Sequence, residues 1–190
     1  RMLADTRADA LVDNFAIQWL DLRELDQTVA DPKAYPEFDT ALREAFGTET
    51  RLFLRSVMRQ NRPITDVVDA NYTYLNGRLA SLYGVPGVSG PGGRRVALGA
   101  DSPRGGVTGM GSILLVTSHT NTTSPILRGK WVLTNLLDSP PSPPPAGVAP
   151  LITRADKSGK VLASGEQIER HAANAVFNTC HSRMDPYCFS

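Results

Sequence analysis

Hydrophobic positions recur at steps of three and four over most of the first 85 residues, the spacing that gathers side chains on one face of a helix. Residues 6–22 place Leu11, Phe15, Trp19 and Leu22 on such a face, which predicts an amphipathic helix. Asp31-Pro32 and Tyr35-Pro36 then favour an extended or turning backbone, because a proline ring disfavours helix in the residue before it. From Glu37 to about Arg59, Phe38, Leu42, Ala45, Phe46, Phe53 and Val57 follow the helical period, and Pro63 lies beyond its end. This is the longest helix predicted. Thr65, Asp66 and Asp69 offer N-cap side chains, and Tyr72, Leu75, Leu79 and Leu82 continue a helical face until Gly84 and Pro86 stop it.

The pattern changes after Gly84. Gly90-Pro91-Gly92-Gly93 and Arg104-Gly105-Gly106 mark a loop-rich connector in which Arg94 to Leu98 is the one plausible strand. Met110, Ile113 and Leu114 predict a short helix. A polar loop from Ser118 to Ser124 leads into another, with Pro125 in its first turn and Trp131, Leu133, Leu136 and Leu137 following. Prolines 140, 141, 143, 144, 145 and 150 impose polyproline-like geometry. A last helix is expected near Ser164, where Ser164 and Gln167 match a capping box. The expected fold is mainly α, with helical subdomains, long irregular Pro/Gly-rich connections and little sheet. It divides into a helical domain over 1–84 and a loop-rich helical domain over 85–190.

Composition narrows the function. Among 190 residues, 20 Lys and Arg stand against 19 Asp and Glu, a net charge of +1 that gives no excess with which to hold nucleic acid by counterion release. No apolar run approaches the roughly 20 residues that span a bilayer, so no transmembrane segment is expected. Both cysteines, Cys180 and Cys188, fall in the last eleven residues and cannot staple the whole fold. An arginine before Met2 and a helical pattern already under way are expected of a fragment of something longer. There is no G-x-S-x-G, H-E-x-x-H or phosphate loop to support a hydrolase.

Chemistry concentrates near the carboxyl end. Cys180-His181 is the second half of C-x-x-C-H, in which a thiolate tethers haem and the neighbouring imidazole ligates its iron. Phe177 occupies the first cysteine position, so one thioether can form. Taken alone, an adjacent cysteine and histidine is more often incidental. The surrounding residues alter that balance. Arg1-Met2-Leu3-Ala4-Asp5 with Phe15 and Gln18-Trp19-Leu20, Asp69-Ala70-Asn71-Tyr72-Thr73, and Leu79-Ala80 with Tyr83-Gly84 are followed by Arg104-Gly105-Gly106, Thr123-Ser124-Pro125, Arg128-Gly129-Lys130-Trp131-Val132-Leu133 and Pro143-Pro144-Pro145. His171, Cys180-His181, Arg183-Met184-Asp185-Pro186 and Phe189 close the series. This ordered set resembles the secreted multidomain c-type cytochrome proteins of planctomycetes, built from tandem domains of unknown function. Cys188 stands where that family has glycine.

The resemblance implies that residues 1–84 are the end of a larger family domain and that the chain carries haem c, with Cys180 as the covalent tether and His181 as proximal ligand. Met184, only three residues after His181, points to the same side of a continuing helix and is excluded as sixth ligand. His119 is the first choice, with His171 and Met110 as alternatives, although a loop histidine and a core methionine are the commoner readings of His119 and Met110. Arg128 and Lys130 are candidates for contacts with the haem propionates. The implied function is electron transfer rather than catalysis, in a bacterial periplasmic or other extracytoplasmic setting, with redox proteins or a larger membrane-associated or secreted complex as partners. The alternative is a non-redox structural or accessory subunit that has lost haem, with Cys180 and Cys188 free to pair.

Overall fold

The structure, a computed structural model, describes residues 2–142 and 183–187. It is mainly helical, with one small two-stranded sheet. The chain forms two compact units, Arg1–Thr123 and Ser124–Ser190.

The first unit is organised around the longest helix, α2, Thr40–Arg59. Asp39 begins it: its backbone is extended and its carboxylate accepts from the Leu42 N–H at 2.8 Å, filling one of the amide valences a helix start leaves open. The predicted apolar stripe is the buried one, with Leu42, Ala45, Phe46, Phe53 and Val57 all turned inward. Leu42, Ala45 and Phe46 pack with Leu75, Leu79 and Ala80 in one cluster, edged by Phe38, Val85 and Val96.

The segment before α2 departs from expectation. Instead of one α-helix over 6–22, it runs through a 3-10 turn at Thr6–Ala8, a π-wound stretch at Leu11–Ala16, the short α1 at Ile17–Trp19 and a second 3-10 turn at Leu22–Asp26. Asp21, at φ 57°, separates the last two. A π turn closes on the fifth residue, as the Ile17 N–H does on the Val12 carbonyl, so the inward stripe shifts to Val12, Ala16, Ile17 and Leu20. Leu11 and Phe15, expected inside, are 50% and 61% exposed. The acidic face of this segment meets the basic face of α2: Arg55 reaches Asp13 at 2.8 Å and Arg59 reaches Asp9 at 2.7 Å.

Arg59 also donates to the carbonyls of Leu3, Asp5 and Thr6 at 2.6–3.3 Å, so one guanidinium ties down the first turns of the chain. Arg59→Ala is expected to cost about 1–2 kcal/mol, the range of charge-assisted hydrogen bonds discounted for partial exposure. Denaturant unfolding would measure it, and limited proteolysis should show cleavage near residues 2–9 rising in parallel.

The second departure lies at 72–75. Tyr72–Leu75 is strand β1, not a helix, and pairs antiparallel with β2, Arg94–Ala97, with Tyr72 opposite Ala97 and Leu75 opposite Arg94. Tyr72 lies between two guanidinium groups, those of Arg62 and Arg95, 4.5 and 4.1 Å from its ring centroid. Helix resumes only at α3, Gly77–Tyr83, where the Asn76 side chain accepts from the Leu79 N–H and Gly84, at φ 70°, supplies a left-handed stop. Met110, Val107 and Ile113 are buried around α4, Gly111–Val116, the short helix predicted there. The compact units divide at Thr123/Ser124, and the return of β2 onto β1 carries the chain that follows into the first unit.

In the second unit, α5, Pro125–Trp131, starts as the sequence foretells: Ser124 Oγ accepts from the Leu127 N–H and Pro125 takes the first helical position. A π-wound stretch, Val132–Leu136, extends it. Leu133 and Met184 are buried together, with Ile126 and Tyr187 against them, and Arg183 donates to Ser139 Oγ at 2.6 Å. The helix expected from Ser164 lies outside the described residues.

Candidate functional site

Between Phe46 and Phe53 the inward face of α2 carries two polar residues, Glu49 and Thr50, both buried in the first unit. Glu49 is 2% exposed. Its Oε1 accepts from the Thr73 hydroxyl on β1 and its Oε2 from the Tyr83 hydroxyl at the end of α3, each at 2.7 Å. Tyr83 in turn accepts from the Gly111 N–H at 2.9 Å, where α4 begins. Arg104 lies over the Tyr83 ring, 3.6 Å from its centroid, and donates to the Gly109 carbonyl at 2.7 Å. One helical position on, the hydroxyls of Thr50 and Ser112 are 2.6 Å apart, and Thr50 donates to the Met110 sulfur at 3.4 Å.

Burial penalises the charged form of Glu49 more than the hydroxyls of Thr73 and Tyr83, the Arg104 charge and the Gly111 amide favour it, so its carboxyl is pushed up to about 7. The Tyr83 phenol is raised too, by burial first and by the Glu49 charge next. The crevice beside Glu49, Thr73, Arg104 and Met110 has no room for even a water molecule, whereas ordinary ligand pockets enclose roughly 300–1,000 Å³. The arrangement therefore suits holding a proton in a packed polar core better than enclosing a substrate. The signal for it was legible: a charged residue on a helical stripe otherwise filled by Ala45, Phe46, Phe53 and Val57.

Of the predicted haem residues, Met110 lies beside this carboxyl. Met110 is 2% exposed, with its sulfur hydrogen-bonded in the core of the first unit. His119 is exposed in a tight turn closed by its own N–H on the Thr122 carbonyl and by the Ser118–Thr123 bridge. Arg128, half-buried, and Lys130, exposed, share α5 in the second unit. Cys180, His181 and His171 lie outside the described residues, as do Phe177 and Cys188. Among the described residues, no group of three or more His, Cys, Asp or Glu side chains could hold a metal ion. Among the same residues, no helix is long and apolar enough to cross a membrane.

Residues 1–85 match the family PSD4, described as a protein of unknown function (DUF1592), and residues 104–190 match PSCyt3, also a protein of unknown function (DUF1588). The chain is thus similar to two domains of unknown function in tandem. They are the domains found in tandem in planctomycete-type cytochrome c proteins, and this chain has no complete C-x-x-C-H segment. No curated protein and no solved structure matches the chain. The DUF1592 match ends at 85, yet the first compact unit extends to Thr123 and so includes the opening twenty residues of the DUF1588 match. Arg104, Met110, Gly111 and Ser112, all from the second match, meet Glu49, Thr50 and Tyr83 from the first.

Proposed function

We propose that this chain is part of an extracytoplasmic c-type haem protein that passes electrons, with haem held by one thioether to Cys180 and by His181 on its iron. The observation that carries this reading is the adjacency of Cys180 and His181 ahead of Arg183-Met184-Asp185-Pro186, inside the region that matches DUF1588. The donor set suits the group: a thiol to add to a vinyl carbon and, beside it, an imidazole of the kind that ligates iron. Haem, when bound, supplies the one-electron chemistry, and the chain supplies attachment, charge and shelter from water.

Arg128 and Lys130, on one short helix, offer positive charge to the propionates. The exposed imidazole of His119 stays first choice for the sixth ligand and His171 the alternative, while Met110 would have to give up its hydrogen bond with Thr50. Met184 remains excluded, being buried against Leu133. Redox proteins or a larger secreted or membrane-associated complex are the partners this reading calls for.

Producing the chain in a bacterium that matures c-type cytochromes should give a Soret band, a pyridine haemochrome of the single-thioether type and an intact mass increased by one haem. Cys180→Ala should abolish the covalent mass and His181→Ala should change the iron spectrum. A colourless product with the mass of the bare chain, or a Cys180–Cys188 disulfide, would overturn the proposal and leave the structural or accessory subunit.

A further inference from the structure

We propose that Glu49 is a proton-operated latch: its neutral carboxyl holds residues 104–112 against α2 and α3, and its ionisation lets that segment lift away. The geometry places this carboxyl at a polar crossing between the two parts, one helical position from the second crossing that Thr50 makes with Ser112 and Met110. Thr73 and Tyr83 grip it from the side of residues 1–85, and Tyr83 carries the 104–112 segment through the Gly111 amide on its oxygen and the Arg104 guanidinium on its ring.

Around this crossing the segment approaches by backbone. A Cβ on Gly106 would lie 2.5 Å from the Val68 carbonyl, and one on Gly111 would lie 2.1 Å from the Phe46 ring. Glu49 itself is 2% exposed and the crevice beside it has no room for a water molecule, so a charge there is left without hydration while the segment is down.

The groups facing Glu49 decide the direction. Tyr83 comes from α3 and is held neutral, Arg104 comes from the segment itself, and Tyr72 lines the same crevice from β1 with Arg95 of β2 on its ring. Arg104 is the one cation of the segment beside the site, and its guanidinium donates to the Gly109 carbonyl and lies over the Tyr83 ring rather than within ion-pair distance of Glu49. Thr73 and Tyr83 are hydroxyl donors that favour the ionised carboxyl, as the Arg104 charge does, but by less than burial disfavours it. When the proton leaves to solvent, two hydroxyls and a guanidinium aimed elsewhere do not replace the lost hydration, and opening the segment restores it.

Hydrogen exchange of the wild-type chain tests this. After correction for intrinsic exchange, protection of the Gly111 amide and its neighbours over 104–112 should fall roughly tenfold between pH 6 and pH 8, while amides in the middle of α2 stay protected. Glu49→Gln should hold the protection of 104–112 level over the same range. Level protection in the wild type, or the same fall in Glu49→Gln, would overturn the latch. Should Glu49→Gln fail to fold, carbon-13 titration of the Glu49 carboxyl in the wild type decides it. A midpoint near neutrality that coincides with the loss of protection supports the latch, and a midpoint in the ordinary carboxylate range overturns it.

Discussion

Gly106→Ala should destabilise the first unit by about 4 kcal/mol, enough to remove much of the stability of an ordinary domain. Two costs add. Gly106 has φ 59° and ψ −167°, a conformation almost confined to glycine, and forcing it on alanine costs about 1–3 kcal/mol. The new methyl would also lie 2.5 Å from the carbonyl carbon and oxygen of Val68 and 2.6 Å from the Val67 oxygen. These are backbone atoms with no rotamer to yield, and overpacking of this kind costs about 1–3 kcal/mol more. Gly84 separates the two terms. It has φ 70° but nothing within 4 Å of a built Cβ, so Gly84→Ala should cost only the backbone term, about 1 kcal/mol. Denaturant unfolding of both variants gives the comparison, and equal losses would refute the account of close approach at Val68.

That close approach marks where local sequence patterns stop being informative. The stripe of α2 and the short helix after Met110 were readable because helical periodicity is local, and Pro125 and Ser124 announced α5 through the chemistry of a helix start. Tyr72–Leu75 misled for the same reason. Its apolar spacing fits a helix with Leu79 and Leu82, but β2 supplies a pairing partner some twenty residues on, and no local period records that. The π-wound stretch at Leu11–Ala16 changes the winding itself, so a face drawn at 3.6 residues per turn exposes Leu11 and Phe15.

At the candidate site the parts were visible but their meeting was not. Tyr83 and Arg104 both lie in segments that carry the family resemblance, and Glu49 interrupts an apolar stripe. Their convergence depends on Gly105 and Gly106 admitting one backbone close to another and on Gly111 meeting the Phe46 ring, a tertiary event that joins residues matched by two different families. The haem proposal rests on a different kind of information, the adjacency of Cys180 and His181 in the sequence.

The stability of the first unit should decline by about 2.5 kcal/mol between pH 5 and pH 8.5, opposite to the trend that carboxylates usually impose. Glu49 holds its proton up to about pH 7 in the folded chain against 4.5 ordinarily. Folding therefore takes up a proton between those values. The contribution is whole below pH 4.5 and is lost as pH rises through 7, and each unit of displacement is worth about 1.4 kcal/mol. Asp39 and Asp66 act in the other direction. The Leu42 amide holds the first, and the Arg62 guanidinium the second, below the usual carboxylate range. Their contribution is present above pH 3.8 and is lost as pH falls through their lowered values, so the stability maximum should sit on the acid side of neutral. Glu49→Gln keeps the shape and cannot ionise, with an amide nitrogen that donates where one carboxyl oxygen accepted. Its denaturation midpoint should stay level from pH 5 to pH 8.5 while the acid limb set by the aspartates remains. An alkaline decline of the same slope in both proteins would place its origin in some other group and remove Glu49 from the account.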